Sequence, residues 1–458
     1  MNRELSKETV KEVKEALGAW HSANHNGLLT HWLLVQQKLK QHPYVNNDIA
    51  ILRLATNQVL FAALEQLEQQ SPKHAQTLRL RSLDNEVEQM AARQLGVSVP
   101  TMYRYQRHAT KALTQILIAK EQALYSERIT ALLGQLPFAS YSQLVGVADQ
   151  QAQLYNKIIQ TDAPNFFLVS GIGGIGKTSL IRFVVEQVIR QLTFDNIIWV
   201  EIDHHGSGNF SRTGAIKQVL SRLATLANHP NPSELQLKQW FAQQSALLII
   251  DNVEAVDDAT AIWQKFKSWT NTSKIILTSR ARPVGLQEVY VTSLNEISQN
   301  DSLELIRHLA ETTGQNDLQS ASDAQLLPIF ERTGGNPHAI KMVMGLTATR
   351  PLQQILDDLP KAKRGETATL YHHIYWRAWR SLSPNAQKLF KAMRWINTQG
   401  STADHIQLLS ELDDEAFWQA IEALLVRSLL LQAGTTFAPR YRIHRLSEQF
   451  LQEQVLKW

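Results

Sequence analysis

The chain has 458 residues, which is too long for one hydrophobic core and indicates about three domains. Apolar residues make up 44% and charged residues 19% of it, which excludes a disordered protein, and its net charge of +4 confines any polyanion binding to a local basic patch. It has no cysteine, which excludes disulfides and thiolate sites, and it has neither a membrane-length apolar run nor a signal peptide, so we expect a cytoplasmic protein without membrane contact.

Residues 1–140 are predicted to form an all-α N-terminal domain. Apolar side chains recur with helical spacing from Leu28 to Leu33 and again from Ile51 to Leu64. Nothing in these early residues indicates chemistry, so we interpret them as a helical bundle.

Within this domain, residues 88–107 resemble a helix-turn-helix, particularly the sigma-factor-like kind. The segment reads EQMAARQLGVSVPTMYRYQR. Ala92 and Gly96 are small enough to permit close helix packing and a tight turn. Ser98 suits an N-cap and Pro100 the first turn, so a second helix is predicted to start there.

The second helix is expected to present a basic face to solvent. Its candidate DNA-contacting side chains are Arg104, Gln106, Arg107 and Lys111. No acidic residue lies between Glu88 and Glu121. Phosphates need positive charge, and Gln and Arg read base edges, so duplex DNA is a predicted partner. The alternative is an ordinary helical hairpin with a solvated basic face.

Residues 166–181, FFLVSGIGGIGKTSLI, predict a buried strand, a glycine-rich loop and a helix. The loop fits the phosphate-binding pattern GxxxxGK[ST], in which glycines let successive N–H groups face one anion at the positive end of a helix. Lys177 is expected to reach the β- and γ-phosphates, and Thr178 to hold Mg²⁺. The candidate nucleotide-binding residues of the loop are Gly171, Gly173, Gly174, Ile175, Gly176, Lys177, Thr178 and Ser179.

A second part of the predicted site follows another buried strand. The apolar run 246–250 ends in Asp251, and a carboxylate at the C-terminal edge of the same sheet is placed to orient Mg²⁺ through its water shell. The candidate metal ligands are therefore Thr178 and Asp251. Further strands are predicted at 194–203 and 274–279, and residues 289–291 should close the sheet.

These motifs, with the strand FDNIIWVEID at 194–203, resemble the NB-ARC group of STAND ATPases. That family comprises the signal-transduction switches behind plant resistance proteins, apoptosome subunits and many bacterial regulators. The resemblance covers residues 144–451 and implies ATP or ADP with Mg²⁺ as the ligand. It also implies a multidomain α/β protein in which the all-α domain precedes three further domains: a P-loop nucleotide domain with a parallel sheet (141–295), a helical lid (296–365) and a winged helix (366–458).

The resemblance implies roles for three more residues. Arg280 follows a strand and would sense the γ-phosphate. Pro337, in the segment GGNPHA with Asn336 where relatives have Leu, would pack against adenine. His444 would donate to the β-phosphate of ADP and hold a closed state. Arg445 stands where relatives have Asp.

The residue after Asp251 bears on hydrolysis. Relatives often carry a second acid there, whereas this chain has Asn252, which cannot accept a proton. Glu254 would share a face with Asn252 if the strand continued, and it could then substitute. The candidate catalytic residues are therefore Asp251, Glu254 and Arg280, and we expect a weak ATPase at most.

We interpret the chain as an ATP/ADP switch that opens and self-associates into a homo-oligomer on ATP binding, with DNA binding as its output. One alternative is a defence-type switch whose N-terminal helices recruit a protein effector without binding DNA. Another is a catalytic ATPase of the loader or remodeller type. Family members usually continue into a repeat array that detects the stimulus, whereas this chain ends at Trp458. The sensor is then a separate protein, or the nucleotide and the N-terminal helices sense the stimulus, or the chain is a shortened one.

Overall fold

The computed structural model describes residues 4–22, 28–40, 49–202, 214–228, 232–253, 256–280, 283, 285–357, 372, 375–376, 378–396, 400–427, 429–435, 437–443 and 445–456. The chain divides into two compact units, Met1–Ala131 and Leu132–Trp458. Each unit has hydrophobic core residues of its own. Across the described ranges, none of the helices combines the length and the hydropathy of a membrane span.

The regular structure described in the first unit is helical. Its helices are α1 (Lys7–Gly18), α2 (Leu33–Lys40), α3 (Ile49–Gln70), α4 (Pro72–Leu78), α5 (Glu88–Gln94) and α6 (Val99–Leu133), with a π-helical turn at Arg79–Leu83. The apolar spacing of the sequence buries Trp32, Leu64 and Leu113 in a common core. Burial of these large side chains supplies the main driving force for packing the helices.

The segment that resembles a helix-turn-helix forms two helices joined by a tight turn. Gly96 adopts a φ of +66° between α5 and α6, a conformation that glycine reaches without strain. Ala92 and Met102 are buried on either side of this turn. The second helix is longer than the segment suggested, at 35 residues, because no glycine or proline interrupts it beyond Pro100.

The second unit contains a five-stranded parallel sheet, as the sequence predicted. Its strands are β1 (Phe166–Ser170), β2 (Asn196–Glu201), β3 (Ala246–Val253), β4 (Lys274–Ser279) and β5 (Val289–Ser293), in the order β2-β3-β4-β1-β5. Every residue of β1 is buried, as expected for a central parallel strand. The predicted closing strand is β5, which lies at the edge beside β1.

Helices alternate with these strands. They are α7 (Ala148–Ile159), α8 (Lys177–Gln191), α9 (Gly214–Ala227), α10 (Glu234–Ala242) and α11 (Val256–Phe266). One face of the sheet, represented by Leu168 and Ile250, packs against Val219, Phe241 and Ile262 of α9 to α11. In such folds, a ligand binds at the edge of the sheet where the carboxyl ends of the strands lie.

In the remaining described residues of this unit, the regular structure is helical apart from one hairpin. Its helices are α12 (Gln299–Thr312), α13 (Asn316–Gln319), α14 (Asp323–Thr333), α15 (Pro337–Thr347), α16 (Leu352–Asp357), α17 (Pro384–Ala392), α18 (Ala403–Ser410), α19 (Asp414–Val426) and α20 (Arg445–Phe450), with a 3₁₀ turn at Met393–Trp395 and a π-helical turn at Leu451–Leu456. Leu303 and Ile340 share one hydrophobic cluster with Phe390, Leu424 and Leu451. The predicted lid and the C-terminal helices therefore pack around a common core.

The hairpin consists of β6 (Leu430–Thr435) and β7 (Ala438–Ile443), which pair in antiparallel register. Residues 433–435, around which the sequence placed the two strands, belong to β6. Gly434 has a φ of +90° within the strand, and the chain reverses only after Thr435. The glycine that marked the turn instead allows close approach, because a Cβ there would lie 2.3 Å from the carbonyl oxygen of Ala438.

Replacing Gly335, which precedes α15, with alanine is expected to destabilise the second unit. Gly335 has a φ of +74°, and a Cβ there would lie 2.4 Å from the carbonyl oxygen of Ile297. Gly314→Ala is the matched control, since its φ is +69° but a Cβ meets no atom within 4 Å. We expect Gly314→Ala to cost about 1 kcal/mol of backbone strain and Gly335→Ala about 3 kcal/mol or more. Calorimetric melting curves compare them, and equal shifts would contradict the steric cause.

Candidate nucleotide site

The loop between β1 and α8 curls around the start of a helix. Gly174 and Gly176 have φ values of +72° and +103°, which favour glycine. Gly171 has no room for a side chain, because a Cβ there would lie 2.7 Å from the carbonyl oxygen of Leu294. Since α8 begins at Lys177, the loop closes over the positive end of a helix dipole, where an anion is stabilised.

Lys177 folds back over this loop. Its Nζ donates to the carbonyl oxygens of Gly171 at 2.7 Å and Ile172 at 3.0 Å. The side chain also lines a cavity of about 890 Å³ at the carboxyl edge of the sheet. A phosphate oxygen would offer this ammonium a charged acceptor, which binds it more strongly than a carbonyl does.

The other predicted loop residues have different surroundings. Ile175 is buried against Gly171. The hydroxyl of Ser179 lies 3.2 Å from that of Ser140, in the segment before α7. The Gly173 carbonyl oxygen accepts a hydrogen bond from the residue that caps α15. The loop is thus in contact with both flanking parts of the unit.

The predicted metal ligands lie next to each other. Thr178 Oγ1 donates to the carboxylate of Asp251, 2.9 Å from Oδ2 and 3.1 Å from Oδ1. Thr278 of β4 also donates to Oδ1, at 2.6 Å. Asp251 is only 3% exposed, so the carboxylate is held by hydroxyl groups in a largely dry site. This oxygen-only set fits Mg²⁺, which takes one or two protein oxygens and completes its shell with water and phosphate.

Asn252 does not continue the regular strand. Its φ is +76°, and its Nδ2 donates to the carbonyl oxygen of Ile202 at 3.0 Å. β3 ends at Val253 after a register shift, so the alternation expected to carry on to Glu254 is already broken. Glu254 itself lies outside the described residues.

Arg280 directly follows β4 and lines the same cavity as Lys177 and Asp251. Pro337, the first residue of α15, also lines this cavity. The structure therefore brings together the loop, the acidic strand end, the strand-end arginine and the lid residue that the sequence singled out. Within the described residues, there is no group of three or more His, Cys, Asp or Glu side chains that could hold a metal ion.

Two residues that the sequence did not assign to the site connect the lid to the loop. Asn336, which is fully buried, donates from Nδ2 to the Gly173 carbonyl oxygen at 3.1 Å. The His338 N–H donates to the Gly174 carbonyl oxygen at 3.3 Å. The Asn336 side chain also caps α15 by accepting from the N–H groups of His338 and Ala339. In the sequence, the Asn-Pro pair indicates the start of a helix, but nothing there indicates the contact with the loop.

A polar chain leads from His338 to the C-terminal helix. His338 Nε2 lies 2.9 Å from the Tyr375 hydroxyl, which accepts from Ser447 of α20 at 3.3 Å. Burial, together with the nearby Lys341 ammonium, lowers the pKa of His338 from 6.5 to about 3. The imidazole is therefore neutral, and its Nε2 shares a hydrogen bond with the tyrosine hydroxyl.

A second link joins the hairpin to the sheet. Arg442 of β7 pairs with Glu201 at the end of β2, with 3.9 Å between nitrogen and oxygen, and both line the cavity. The sequence carried no signal for this pair, because its residues belong to no shared motif. His444 lies outside the described residues, so its role remains a prediction.

In the first unit, three of the four predicted DNA-contacting residues form a stripe. Arg104, Arg107 and Lys111 are exposed on α6 at helical spacing. Gln106 is half-buried and lies about 200° around the helix axis from Arg104. This corrects the expectation of one exposed face with all four, since residues two apart on a helix do not share a face.

Replacing His338 with glutamine is expected to reduce the pH dependence of stability. Unfolded histidine binds a proton as the pH falls through 6.5, whereas His338 in the folded protein stays neutral to about pH 3. Folding therefore loses stability between these pH values, by at most about 2 kcal/mol from pH 7 to pH 5.

Glutamine keeps an acceptor for Tyr375 but does not titrate, so His338→Gln should lose less stability than wild type over the same interval. Melting temperatures of both proteins at pH 7 and pH 5 measure the difference. Parallel decreases would contradict this assignment.

Comparison with known proteins shows similarity over the part of the chain that contains the parallel sheet. Residues 147–315 match the NB-ARC domain. The chain is 25% identical over 226 residues to probable disease resistance RPP8-like protein 2 of Arabidopsis thaliana, covering 46% of this chain and 24% of that protein. It is 26% identical over 230 residues to the putative inactive disease susceptibility protein LOV1 of Arabidopsis thaliana, covering 46% and 30%. The chain thus spans less than a third of the length of either relative.

Among solved structures, the chain has similarity to the Signal Transduction ATPase with Numerous Domains (STAND) protein with a tetratricopeptide repeat sensor from Pyrococcus horikoshii. The TM-score is 0.43 and the identity 18%, over 70% of this chain and 44% of that one. Residues 147–315 thus match the NB-ARC domain, and the loop, strand order and acidic strand end described above agree with that match.

Proposed function

We propose that this protein is an ATP/ADP-dependent switch. The observation that carries the proposal is the composition of one cavity: its wall combines the phosphate loop and Asp251 with Pro337 of the lid and Arg442 of the C-terminal hairpin. A nucleotide in this cavity would contact all three parts of the unit at once. The number of phosphates on the nucleotide would then favour one packing of these three parts over another.

In the proposed complex, the loop N–H groups and Lys177 bind the phosphates. Thr178 and Asp251 hold Mg²⁺, which supplies positive charge beside the β- and γ-phosphates. The apolar side chains of Val145, Val147 and Pro337 line the cavity and suit the adenine base.

Hydrolysis is expected to be slow. Asn252 cannot take a proton from water, and its amide already donates to Ile202. Arg280 follows the strand that borders Asp251, so it is the proposed sensor of the γ-phosphate. Such a site holds nucleotide and reads its state.

The switch itself is proposed to act through the C-terminal region. Helices followed by the β6–β7 hairpin support interpreting residues 366–458 as a winged helix, with His444 directed at the β-phosphate of ADP in the closed state. The Arg442–Glu201 pair joins the same hairpin to the sheet, so opening must break it. ATP would favour the open form and self-association into a homo-oligomer.

The test is the bound nucleotide and the particle size of the purified protein. We expect retained ADP in a small species, a larger species with a non-hydrolysable ATP analogue, and steady-state hydrolysis near zero. Lys177→Ala should weaken nucleotide binding by about 100-fold or more, because it removes the ammonium that pairs with the phosphates. Rapid turnover would favour a loader or remodeller, and wild-type-like nucleotide affinity of Lys177→Ala would contradict the site.

The proposed output is DNA binding by the stripe of Arg104, Arg107 and Lys111 on α6. A different observation favours a protein effector. Val87, directly before α5, Met90 of α5 and Tyr103 of α6 are 65%, 46% and 40% exposed. Exposed apolar side chains favour a protein surface over a phosphate backbone. A separate sensor protein is compatible with either output.

Replacing Arg104, Arg107 and Lys111 together with alanine separates these outputs. If DNA is the partner, the full-length variant should bind duplex DNA more weakly at low salt. The slope of its salt dependence should also fall by about 0.9 for each phosphate that the variant no longer neutralises. Replacing Lys7, Lys11 and Lys14, three exposed residues of α1, removes the same charge and serves as the control. Fluorescence anisotropy at several salt concentrations measures both. Equal weakening in the two variants, or no wild-type binding, would favour the effector.

A further inference from the structure

The β3 strand has a β-bulge at the acidic end of the nucleotide site. Ile250 pairs with Leu277, and the next pair is Val253 with Ser279. Two residues, Asp251 and Asn252, therefore stand opposite Thr278 alone. Bulges of this kind bend a strand and redirect its side chains, and they are frequent beside active sites.

The bulge is held from both neighbouring strands. On the β4 side, the Thr278 hydroxyl accepts the N–H of Asn252 and donates to Asp251 Oδ1, both at 2.6 Å. On the β2 side, Ile202 donates its N–H to the Asp251 carbonyl oxygen at 2.9 Å and accepts from Asn252 Nδ2 at 3.0 Å. The Asn252 side chain thus supplies a donor to the Ile202 carbonyl oxygen.

These contacts distinguish the two oxygens of the Asp251 carboxylate. Thr178 has a single hydroxyl proton, and its closer acceptor is Oδ2 at 2.9 Å. Oδ1 is bound by Thr278, which is fully buried. Hydrogen bonds to a carboxylate in such a dry site are strong, so Thr278 restrains rotation of the carboxylate.

The same geometry explains why asparagine occupies position 252. The left-handed φ of +76° is one that Asn adopts more readily than most residues. The contact with the Ile202 carbonyl oxygen needs a donor, and an ionised acid at this position has none. A carboxylate there would face the carbonyl oxygen and be repelled.

We propose that Thr278 and Asn252 are positioning residues for the Mg²⁺ site. Thr278 fixes the Asp251 carboxylate so that one oxygen faces the Thr178 hydroxyl, and Asn252 locks the bulge on which Asp251 stands. Position 252, where relatives often carry a second acid, therefore holds the bulge of β3 in this protein. This inference rests on the proposed nucleotide function, because it concerns the metal that accompanies the phosphates.

The experiment compares the ADP affinity of the full-length protein in Mg²⁺ with its affinity in EDTA, using a fluorescent ADP analogue. Thr278→Val keeps the shape of the side chain but removes the hydroxyl that makes both contacts. We expect the ratio of the two affinities to fall by about 10- to 100-fold, the usual effect of removing a partner of a metal ligand. The affinity in EDTA should stay within about twofold of wild type. Thr278→Ser keeps the hydroxyl and should retain the ratio.

The outcomes separate the inference from the proposed function. A wild-type protein without nucleotide affinity would sink the proposed function. A wild-type protein that binds ADP equally in Mg²⁺ and EDTA, or a Thr278→Val variant with the wild-type ratio, would overturn the inference alone.

Asn252→Asp tests the other side of the bulge and serves if Thr278→Val does not fold. It has nearly the same shape but cannot donate to Ile202, so the ratio should again fall. An unchanged ratio of the two affinities would contradict the positioning role of Asn252. Faster ATP hydrolysis in addition would assign position 252 to catalysis.

Discussion

The carbonyl oxygens of the phosphate loop need hydrogen-bond donors, and the way they obtain them organises the second unit. Lys177 donates to Gly171 and Ile172, Asn336 donates to Gly173, and the His338 N–H donates to Gly174. The loop residues are half-buried, so each contact supplies a donor to a carbonyl group that is partly withdrawn from water. Because two of the donors belong to the start of α15, the lid is held to the loop directly, and a ligand that changes the loop acts on the lid as well.

The links to the C-terminal region differ in length. The chain from His338 through Tyr375 to Ser447 is half-buried at His338 and buried at the other two residues, and the stacked rings of Tyr375 and Phe450 support it, with 5.3 Å between centroids. The Arg442–Glu201 pair is the longer contact, with 3.9 Å between nitrogen and oxygen, and its side chains are 13% and 21% exposed. A region held by a few polar contacts beside its own hydrophobic core can rearrange without loss of that core. That property suits a protein proposed to change shape with its nucleotide.

In the proposed function, the residues at the acidic end of β3 favour holding the nucleotide over hydrolysing it. Asp251 is surrounded by hydroxyl donors, while the Asn252 amide donates to the neighbouring strand. An active hydrolase needs a group that takes a proton from water, and Asn252 is not such a group. In the proposed function, the lifetime of the bound nucleotide is then long, which is what a state-dependent output requires.

The sequence alone determined the parts that depend on local chemistry. The glycines between β1 and α8, the continuous apolar runs of the parallel strands, the position of Asp251 and the start of α6 at Val99 follow from φ preferences, burial and capping, all of which act over a few residues. Only the tertiary structure decided the contact of Asn336 with Gly173, 163 residues away, and the chain through Tyr375. It also decided that a bulge ends the alternation at Asn252. These features depend on how distant elements pack and on helix and strand geometry at single residues, which motifs and spacing do not specify.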